Sequence, residues 1–322
     1  MKDMKNINLS LMPLLAFMLS ACNGETLPGP VLADNTLQVC SVELPELSGT
    51  RALGATQLNE IGVYVTNNSH TALDNAPYVY KLQSGTWSCD APPTITVEAS
   101  APDYLYAFSP SSLAVTNVAG GNHTIPVTVV ADNFTASGQT DYLYGKSDPE
   151  TVHSASRAVT FTMYHALAKV SFRVLKSDNV EETVTLKKIE LLSSTARLQT
   201  GTSGIMNLKD GILNGLASTN SIILNGSVVL NTTQNQPNVS ALVAPMSARE
   251  TRLSFRLTVE VTETDGTITK RSFETAAVNE VQWKAACHYV YAITIDKMGG
   301  NLTNVQIDAW KNDANQNTGI GI

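Results

Sequence analysis

Cysteine is scarce in this sequence, with four residues among 322. Cys22 directly follows the N-terminal signal described below, where its thiol is expected to be modified, so Cys40, Cys89 and Cys287 remain for disulfide pairing. Because three is an odd number, a complete disulfide framework is excluded, although a Cys40–Cys89 bridge is one possible pairing. The fold must therefore be stabilised mainly by the burial of apolar side chains.

Charged residues are also few: they make up 15% of the chain, and the net charge is −7. The sequence has no basic stripe, which argues against nucleic acid as a partner. Hydrophobic residues make up 43% of the chain, which is enough for a solid core, and uncharged polar residues must cover the surface. Because Thr and Val favour strands, this composition indicates an extracellular β-protein.

The usual motifs of enzymes and metal sites are missing. The five histidines are scattered without H-E-x-x-H spacing, and Gly201-Thr202-Ser203-Gly204 lacks the spacing of a nucleophile elbow. No P-loop or G-x-G-x-x-G occurs. We therefore predict no catalytic residue, no metal and no cofactor. An enzyme whose carboxylates meet only on folding is an alternative, because sequence spacing does not exclude it.

No apolar run is long enough to span a bilayer, which needs about 20 residues. The N-terminus has Lys2 and Lys5, a short apolar segment over residues 9–19, and then Leu19-Ser20-Ala21-Cys22. This order is typical of a secretory signal. Leu-Ser-Ala-Cys resembles the bacterial lipobox, which implies that residues 1–21 are removed and that Cys22 is lipidated. An ordinary signal peptide with a chance cysteine is the alternative.

From Ile61 onwards, short apolar segments alternate with turn residues at intervals of roughly 8–12 residues, which predicts a β-sandwich architecture. A break near residues 150–158 divides the predicted strands into an N-terminal sandwich (52–155) and a C-terminal sandwich (156–298). The predicted strands are 61–66, 78–82, 94–97, 104–108, 113–118, 125–130, 161–165, 168–174 and 184–192.

The most regular pattern lies at 252–273: apolar and polar residues alternate over 252–261, and Asp265-Gly266 then turns the chain into residues 267–273. A period of two predicts a long hairpin with one solvent-facing side. Asp210-Gly211 and Asn225-Gly226 predict further hairpin turns, because both dipeptides accept positive φ angles. Lys187-Lys188 interrupts the alternation of its strand and predicts a β-bulge.

Several patches together resemble the fimbrillin family, the pilins of Bacteroidia that build type V pili from exported lipoproteins. The patches occur in the order of that family over nearly all of the mature chain. They are Thr50-Arg51-Ala52, 104–110, 141–145, 161–170, Trp283, Tyr289-Val290-Tyr291 and 305–310.

The resemblance implies an all-β fold of two tandem transthyretin-like β-sandwich domains. It also implies cleavage between Arg51 and Ala52, so that residues 22–51 comprise a lipid tether and a removable first strand at about 35–49. A neighbouring subunit would then fill the vacated groove with its C-terminal segment, 299–322, through Val305, Ile307 and Trp310.

The expected partners are other pilin subunits, outer-membrane lipid through Cys22, and a host or bacterial surface ligand. The expected location is the outer membrane, the cell surface and the fimbrium. The chain departs from the family at Cys287, where the family usually has glycine. Its end, residues 312–322, is rich in Asn and Gly, so a donor strand would have few anchoring side chains beyond Ile307 and Trp310. The chain could therefore be a tip or anchor subunit as well as a stalk subunit.

Other interpretations of these residues stay open at this point. Arg51 could be a solvated loop residue, and the C-terminal segment could be an edge strand of its own domain. His165, Trp283 and Trp310 are expected to pack in the core rather than bind a ligand. A different function, that of a surface glycan-binding lipoprotein, would use Tyr142 and Tyr144 to stack on sugar.

Overall fold

The structure, a computed structural model, describes residues 35–44, 58–297 and 299–309. These residues form twenty strands and two 3₁₀ turns, Ala119–Gly121 and Ser154–Ser156. The strands are β1 Gln38–Glu43, β2 Glu60–Thr66, β3 Tyr78–Gln83, β4 Thr86–Ser88, β5 Asp103–Ser109, β6 Thr124–Val129, β7 Leu143–Asp148, β8 Thr151–Val152, β9 Ala158–His165, β10 Ala168–Lys176, β11 Thr183–Ser193, β12 Leu198–Asn207, β13 Leu213–Asn214, β14 Ala217–Thr219, β15 Ser221–Val229, β16 Val239–Val243, β17 Leu253–Thr262, β18 Ile268–Glu274, β19 Cys287–Asp296 and β20 Gly299–Ala309. The predicted all-β fold is confirmed.

Eight strands form the first sheet, in the order β1-β9-β7-β5-β2-β3-β4, with β8 paired to β5. Burial alternates residue by residue along β9, as expected for a strand with one face on a core. The boundary predicted at 155/156 does not coincide with this sheet, because β9 continues the sheet to His165 through its pairing with β7 and β1. The buried side chains of this core include Leu37, Ile61, Val63, Tyr80, Phe161 and Met163.

A linking sheet joins the two halves of the chain. It has the order β13-β12-β14, and β6 from the N-terminal half pairs with β12 from the C-terminal half. Tyr106 and Phe108 of the first sheet share a buried cluster with Met206 of β12 and Leu242 of β16. The two halves therefore share apolar core, which local sequence patterns do not reveal.

The C-terminal half is a β-sandwich built from two more sheets. The second sheet has the order β16-β10-β19-β20, and the third sheet has the order β15-β11-β17-β18. Phe172 and Tyr291 of the second sheet meet Phe255 of the third, with ring centroids 5.0 and 4.5 Å from the Phe255 ring. These rings lie in the largest buried apolar cluster of the described residues, and their burial makes them major contributors to stability.

Several local predictions are confirmed. The register of β11 shifts between Leu186 and Lys188, where the bulge was predicted. Asp265-Gly266 joins β17 to β18, and Gly266 has a φ of 84°. Gly211 has a φ of 72° in the turn between β12 and β13. Glycine accepts these left-handed conformations without the steric cost that a Cβ would add.

The hairpin turn predicted at Asn225-Gly226 is wrong, because both residues lie inside β15. The backbone N–H of Asn225 donates to Asp132 O at 2.9 Å, and the Phe134 N–H donates to Asn225 O at 3.0 Å. A Cβ added to Gly226 would lie 2.2 Å from the Phe134 ring. The glycine is thus needed for a close tertiary approach rather than for a turn.

Two predicted strands are also wrong, and one possible disulfide does not form. Residues 94–97 and 113–118 are loops that contribute only single bridges, Thr36 to Thr94 and Thr116 to Thr124. Cys89 is a free thiol, so the Cys40–Cys89 disulfide is not formed. Each segment bonds to its neighbour around one bridge, and the pairing does not continue into a longer ladder.

Candidate functional site: the terminal edge strands

The first described strand, β1, lies at one end of the first sheet and runs parallel to β9. The Gln38 N–H donates to Arg157 O at 2.9 Å, and the hydroxyl of Ser41 donates to that of Thr160 at 3.0 Å. Just before β1, the Leu37 N–H donates to Pro93 O at 3.0 Å, and the Ile95 N–H donates to Asn35 O at 2.9 Å. Segment 35–43 is therefore held by backbone bonds on both sides.

Two side chains fix the segment in the core of the first sheet. Leu37 is 1% exposed and Val39 is 6% exposed. The Tyr80 hydroxyl also donates a hydrogen bond to Leu37 O at 3.1 Å. At about 1.5–3 kcal/mol for each buried aliphatic side chain, Leu37 and Val39 contribute several kcal/mol that would be lost if the segment left.

A bulge interrupts β1 between Val39 and Ser41, where the pairing with β9 passes directly from Val159 to Thr160. Beyond the bulge, Val42 packs against the same core although it is only partly buried. The apolar positions of this segment are thus residues 37, 39 and 42. Their spacing is two and then three, because the extra residue of a bulge shifts the alternation by one.

At the other end of the chain, β20 is the edge strand of the second sheet and pairs antiparallel with β19. Val305 lies opposite Tyr291, and Ile307 lies opposite Tyr289. Residues 299–309 therefore form an edge strand of the second sheet in the isolated chain. Edge strands have one unpaired side and are the strands that a fold can exchange between copies.

The remaining predicted site residues, Cys22, Arg51, Ala52 and Trp310, lie outside the described residues. Arg51 belongs to the connection between β1 and β2. Cleavage in this connection would separate β1 covalently from the rest of the sheet. Because β1 is outermost in the sheet, it could then leave without unpairing any other two strands.

Burial settles two expectations about an aromatic and a histidine residue. Trp283 is 0% exposed, and its indole N–H donates to the Tyr291 hydroxyl at 2.9 Å. His165 is also buried, and its Nδ1 lies 2.7 Å from Asp141 Oδ2. The predicted core roles of Trp283 and His165 are confirmed.

Tyr142 does not offer a stacking surface. Its ring is buried, and its hydroxyl accepts a hydrogen bond from the Thr128 N–H at 2.8 Å. Tyr144 is half-buried beside Tyr164, with ring centroids 5.4 Å apart. The sugar-stacking pair expected for a glycan-binding lipoprotein is therefore wrong, because Tyr142 packs in the buried cluster that the two halves share.

One buried carboxylate was missed by the sequence analysis. Glu250 is fully buried and accepts hydrogen bonds from the hydroxyls of Ser193, Ser194 and Thr195 and from the Arg252 N–H. Burial alone would raise the pKa of Glu250, but these bonds outweigh it and lower the pKa to about 2. Glu250 thus ties the end of β11 to the start of β17, and an acidic residue three positions before a strand does not by itself predict this role.

His123 is the second buried polar residue that the sequence did not reveal. Its Nδ1 accepts a hydrogen bond from the Val118 N–H at 3.2 Å, and its ring contacts Tyr64 and Tyr106 edge-on. Burial, with a smaller contribution from His70, lowers the pKa of His123. The neutral imidazole therefore closes the loop before β6 at neutral pH.

Among the described residues, no group of three or more metal-ligating side chains occurs. The same residues contain no helix that is long and apolar enough to cross a membrane.

Comparison with known proteins gives one family and several related folds. The family model described as fimbrillin-like matches residues 50–310. A fimbrial protein from Bacteroides vulgatus is similar in structure, with a TM-score of 0.63, 12% identity and coverage of 86% of this chain and 99% of that chain. A candidate cell adhesion protein from Bacteroides ovatus gives a TM-score of 0.55, 18% identity and coverage of 87% and 99%. No curated protein sequence matches.

Proposed function

The chain belongs to the fimbrillin-like family, and on that premise we propose that it is a pilus subunit, exported as a lipoprotein and assembled by strand addition. Family membership supports assembly with other pilin subunits and a location at the cell surface. Fimbrillin-like proteins are structural, so the chain is not an enzyme. Two tandem transthyretin-like domains, a lipid anchor at Cys22 and attachment to the outer membrane belong to the same proposal.

The observation that carries the proposal is the position of β1. Cleavage after Arg51 would release an outermost strand and leave behind one unpaired edge of β9. It would also open the apolar sites that Leu37 and Val39 fill. Unpaired backbone groups and exposed apolar surface are both unfavourable in water, so the groove favours a replacement strand.

The C-terminal segment has the pattern that this groove requires. Leu37-Gln38-Val39 corresponds to Val305-Gln306-Ile307, and Val42 corresponds to Trp310, because both segments have apolar residues at spacings of two and three. A donor in this register would run parallel to β9, as β1 does. The donor must first leave β19 of its own subunit, so the exchange replaces one set of strand pairings with another.

Limited trypsin digestion tests the maturation step. We expect the folded protein to be cut first after Arg51, and the trimmed protein to form ladders on SDS gels when samples are not boiled. The Arg51→Gln variant should resist this cut and stay monomeric. Early cleavage elsewhere while Arg51 stays intact would contradict the proposed maturation.

Membrane fractionation tests the anchor. We expect the Cys22→Ala variant to appear in the soluble fraction, because Cys22 supplies the thiol that carries the lipid. The Cys89→Ala variant is the matched control and should stay with the membranes, since Cys89 packs beside the core of the first sheet. Membrane retention of Cys22→Ala would argue against lipidation at this position.

A further inference from the structure

A small cavity opens where β11 ends and β17 begins, at one end of the third sheet. Its volume is about 280 Å³, and its lining includes Leu192, Asn220, Arg252, Ser254, Glu274 and Ala277. Ligand pockets usually span roughly 300–1,000 Å³. The cavity therefore suits one small ligand, about the size of a single sugar ring.

The buried carboxylate of Glu250 holds the cavity in shape. It binds the hydroxyls of Ser193 and Ser194, whose residues line the cavity, and it accepts the Arg252 N–H at 3.0 Å. The Ser193 N–H in turn donates to Asn220 O at 2.8 Å. Because these bonds fix the backbone that carries Arg252 and Asn220, a ligand would meet a preorganised rim.

The two charged side chains of the cavity, Glu274 and Arg252, differ in their hydrogen bonds. The Glu274 carboxylate accepts a bond from the Ser254 hydroxyl at 2.8 Å and one from the Arg256 guanidinium at 2.9 Å. Among the described residues, the Arg252 guanidinium makes no hydrogen bond and no ion pair within 4 Å, although its charge helps to lower the pKa of Glu274. The Arg252 guanidinium therefore has N–H groups that are available to a ligand. The neighbouring Glu274 carboxylate already accepts two hydrogen bonds.

The remaining lining gives the ligand its expected shape. Leu192 and Ala277 supply apolar surface, and Asn220 supplies an exposed amide. An apolar surface with a few polar groups suits a ring that has a C–H face and hydroxyls at its edge. An exposed arginine favours a carboxylate on that ring, because guanidinium and carboxylate match in charge and geometry.

We propose that this cavity binds a hexuronate, a sugar ring that carries a carboxylate. The carboxylate binds Arg252, the ring hydroxyls bind Asn220 and the free lone pairs of Glu274, and the C–H face packs on Leu192. This site lies in the C-terminal sandwich and does not depend on cleavage or strand exchange. Its failure and the failure of the proposed pilus function are therefore distinguishable.

An NMR titration of the isotope-labelled exported chain with D-glucuronate tests the site, with D-glucose as the neutral control sugar. We expect saturable shifts for the amides of Ser193, Ser254 and Thr275, and little response to glucose. The Arg252→Gln variant should bind glucuronate about tenfold more weakly or worse, as expected for the loss of one charge-assisted hydrogen bond. Arg249→Gln is the matched control, since Arg249 is exposed but does not line the cavity.

Three outcomes would overturn the proposal. The first is the absence of saturable shifts at the cavity with glucuronate. The second is an equal response to glucose, because the carboxylate would then contribute nothing. The third is unchanged affinity in Arg252→Gln, which would place the sugar elsewhere. Added salt should weaken the expected binding, because an exposed ion pair is screened by mobile ions.

Discussion

Replacement of Ile307 by aspartate in the trimmed protein is expected to abolish the SDS-resistant ladder. In the proposed register, Ile307 enters the site that Val39 occupies before cleavage, and Val39 is 6% exposed among apolar neighbours. A carboxylate has no partner there, and burying an unpaired charge costs far more than one aliphatic contact contributes. The measurement is the fraction of protein that migrates as ladder on gels without boiling, with filaments counted by negative-stain microscopy.

The neighbouring residue gives a matched control for this variant. Gln306 corresponds to Gln38, which is only partly buried, and successive side chains of a strand point to opposite faces. Gln306→Asp should therefore assemble, and Ile307→Leu should assemble as well. Equal loss of assembly in Gln306→Asp would mean that charge near the C-terminus, rather than the groove, decides the outcome.

The free energy of unfolding should fall by about 3 kcal/mol in the Glu250→Ala variant. This change leaves the Ser193 hydroxyl and the Arg252 N–H without the acceptor that they bind in the wild type. Each buried polar group without a partner costs about 1–3 kcal/mol. Urea denaturation at pH 7 measures the loss, and Glu98→Ala on an exposed loop should change stability by less than about 0.5 kcal/mol.

The stabilisation by Glu250 should also depend on pH. Its pKa falls from the ordinary 4.5 to about 2 on folding, so the unfolded chain binds the proton more tightly. The stabilisation is therefore complete above pH 4.5 and is lost as the pH falls from 4.5 towards 2. The difference in stability between wild type and Glu250→Gln should shrink over this range, and a difference that stays constant would contradict the assignment.

The sequence predicted the fold class because the alternation of apolar and polar residues along a strand involves only neighbouring positions. The two-residue period of apolar side chains and the Asp265-Gly266 turn predicted the β17–β18 hairpin. A break in the same kind of period at Lys187-Lys188 predicted the bulge. Family membership was also readable, since short patches in a fixed order survive where overall identity is low. The error at Asn225-Gly226 shows the limit of such local patterns. The close approach of the Phe134 ring requires a glycine at position 226, and Phe134 lies 92 residues earlier in the sequence.

By itself, the sequence determined that this protein is all-β and that it belongs to the fimbrillin-like family. Only the tertiary structure decided which strands are neighbours. It placed β1 beside β9, put β20 at an edge of the second sheet and surrounded Glu250 with six donor groups. The physical reason is that strand pairing and buried hydrogen bonds join residues far apart in the chain. Local sequence patterns do not indicate which distant residues these partners are.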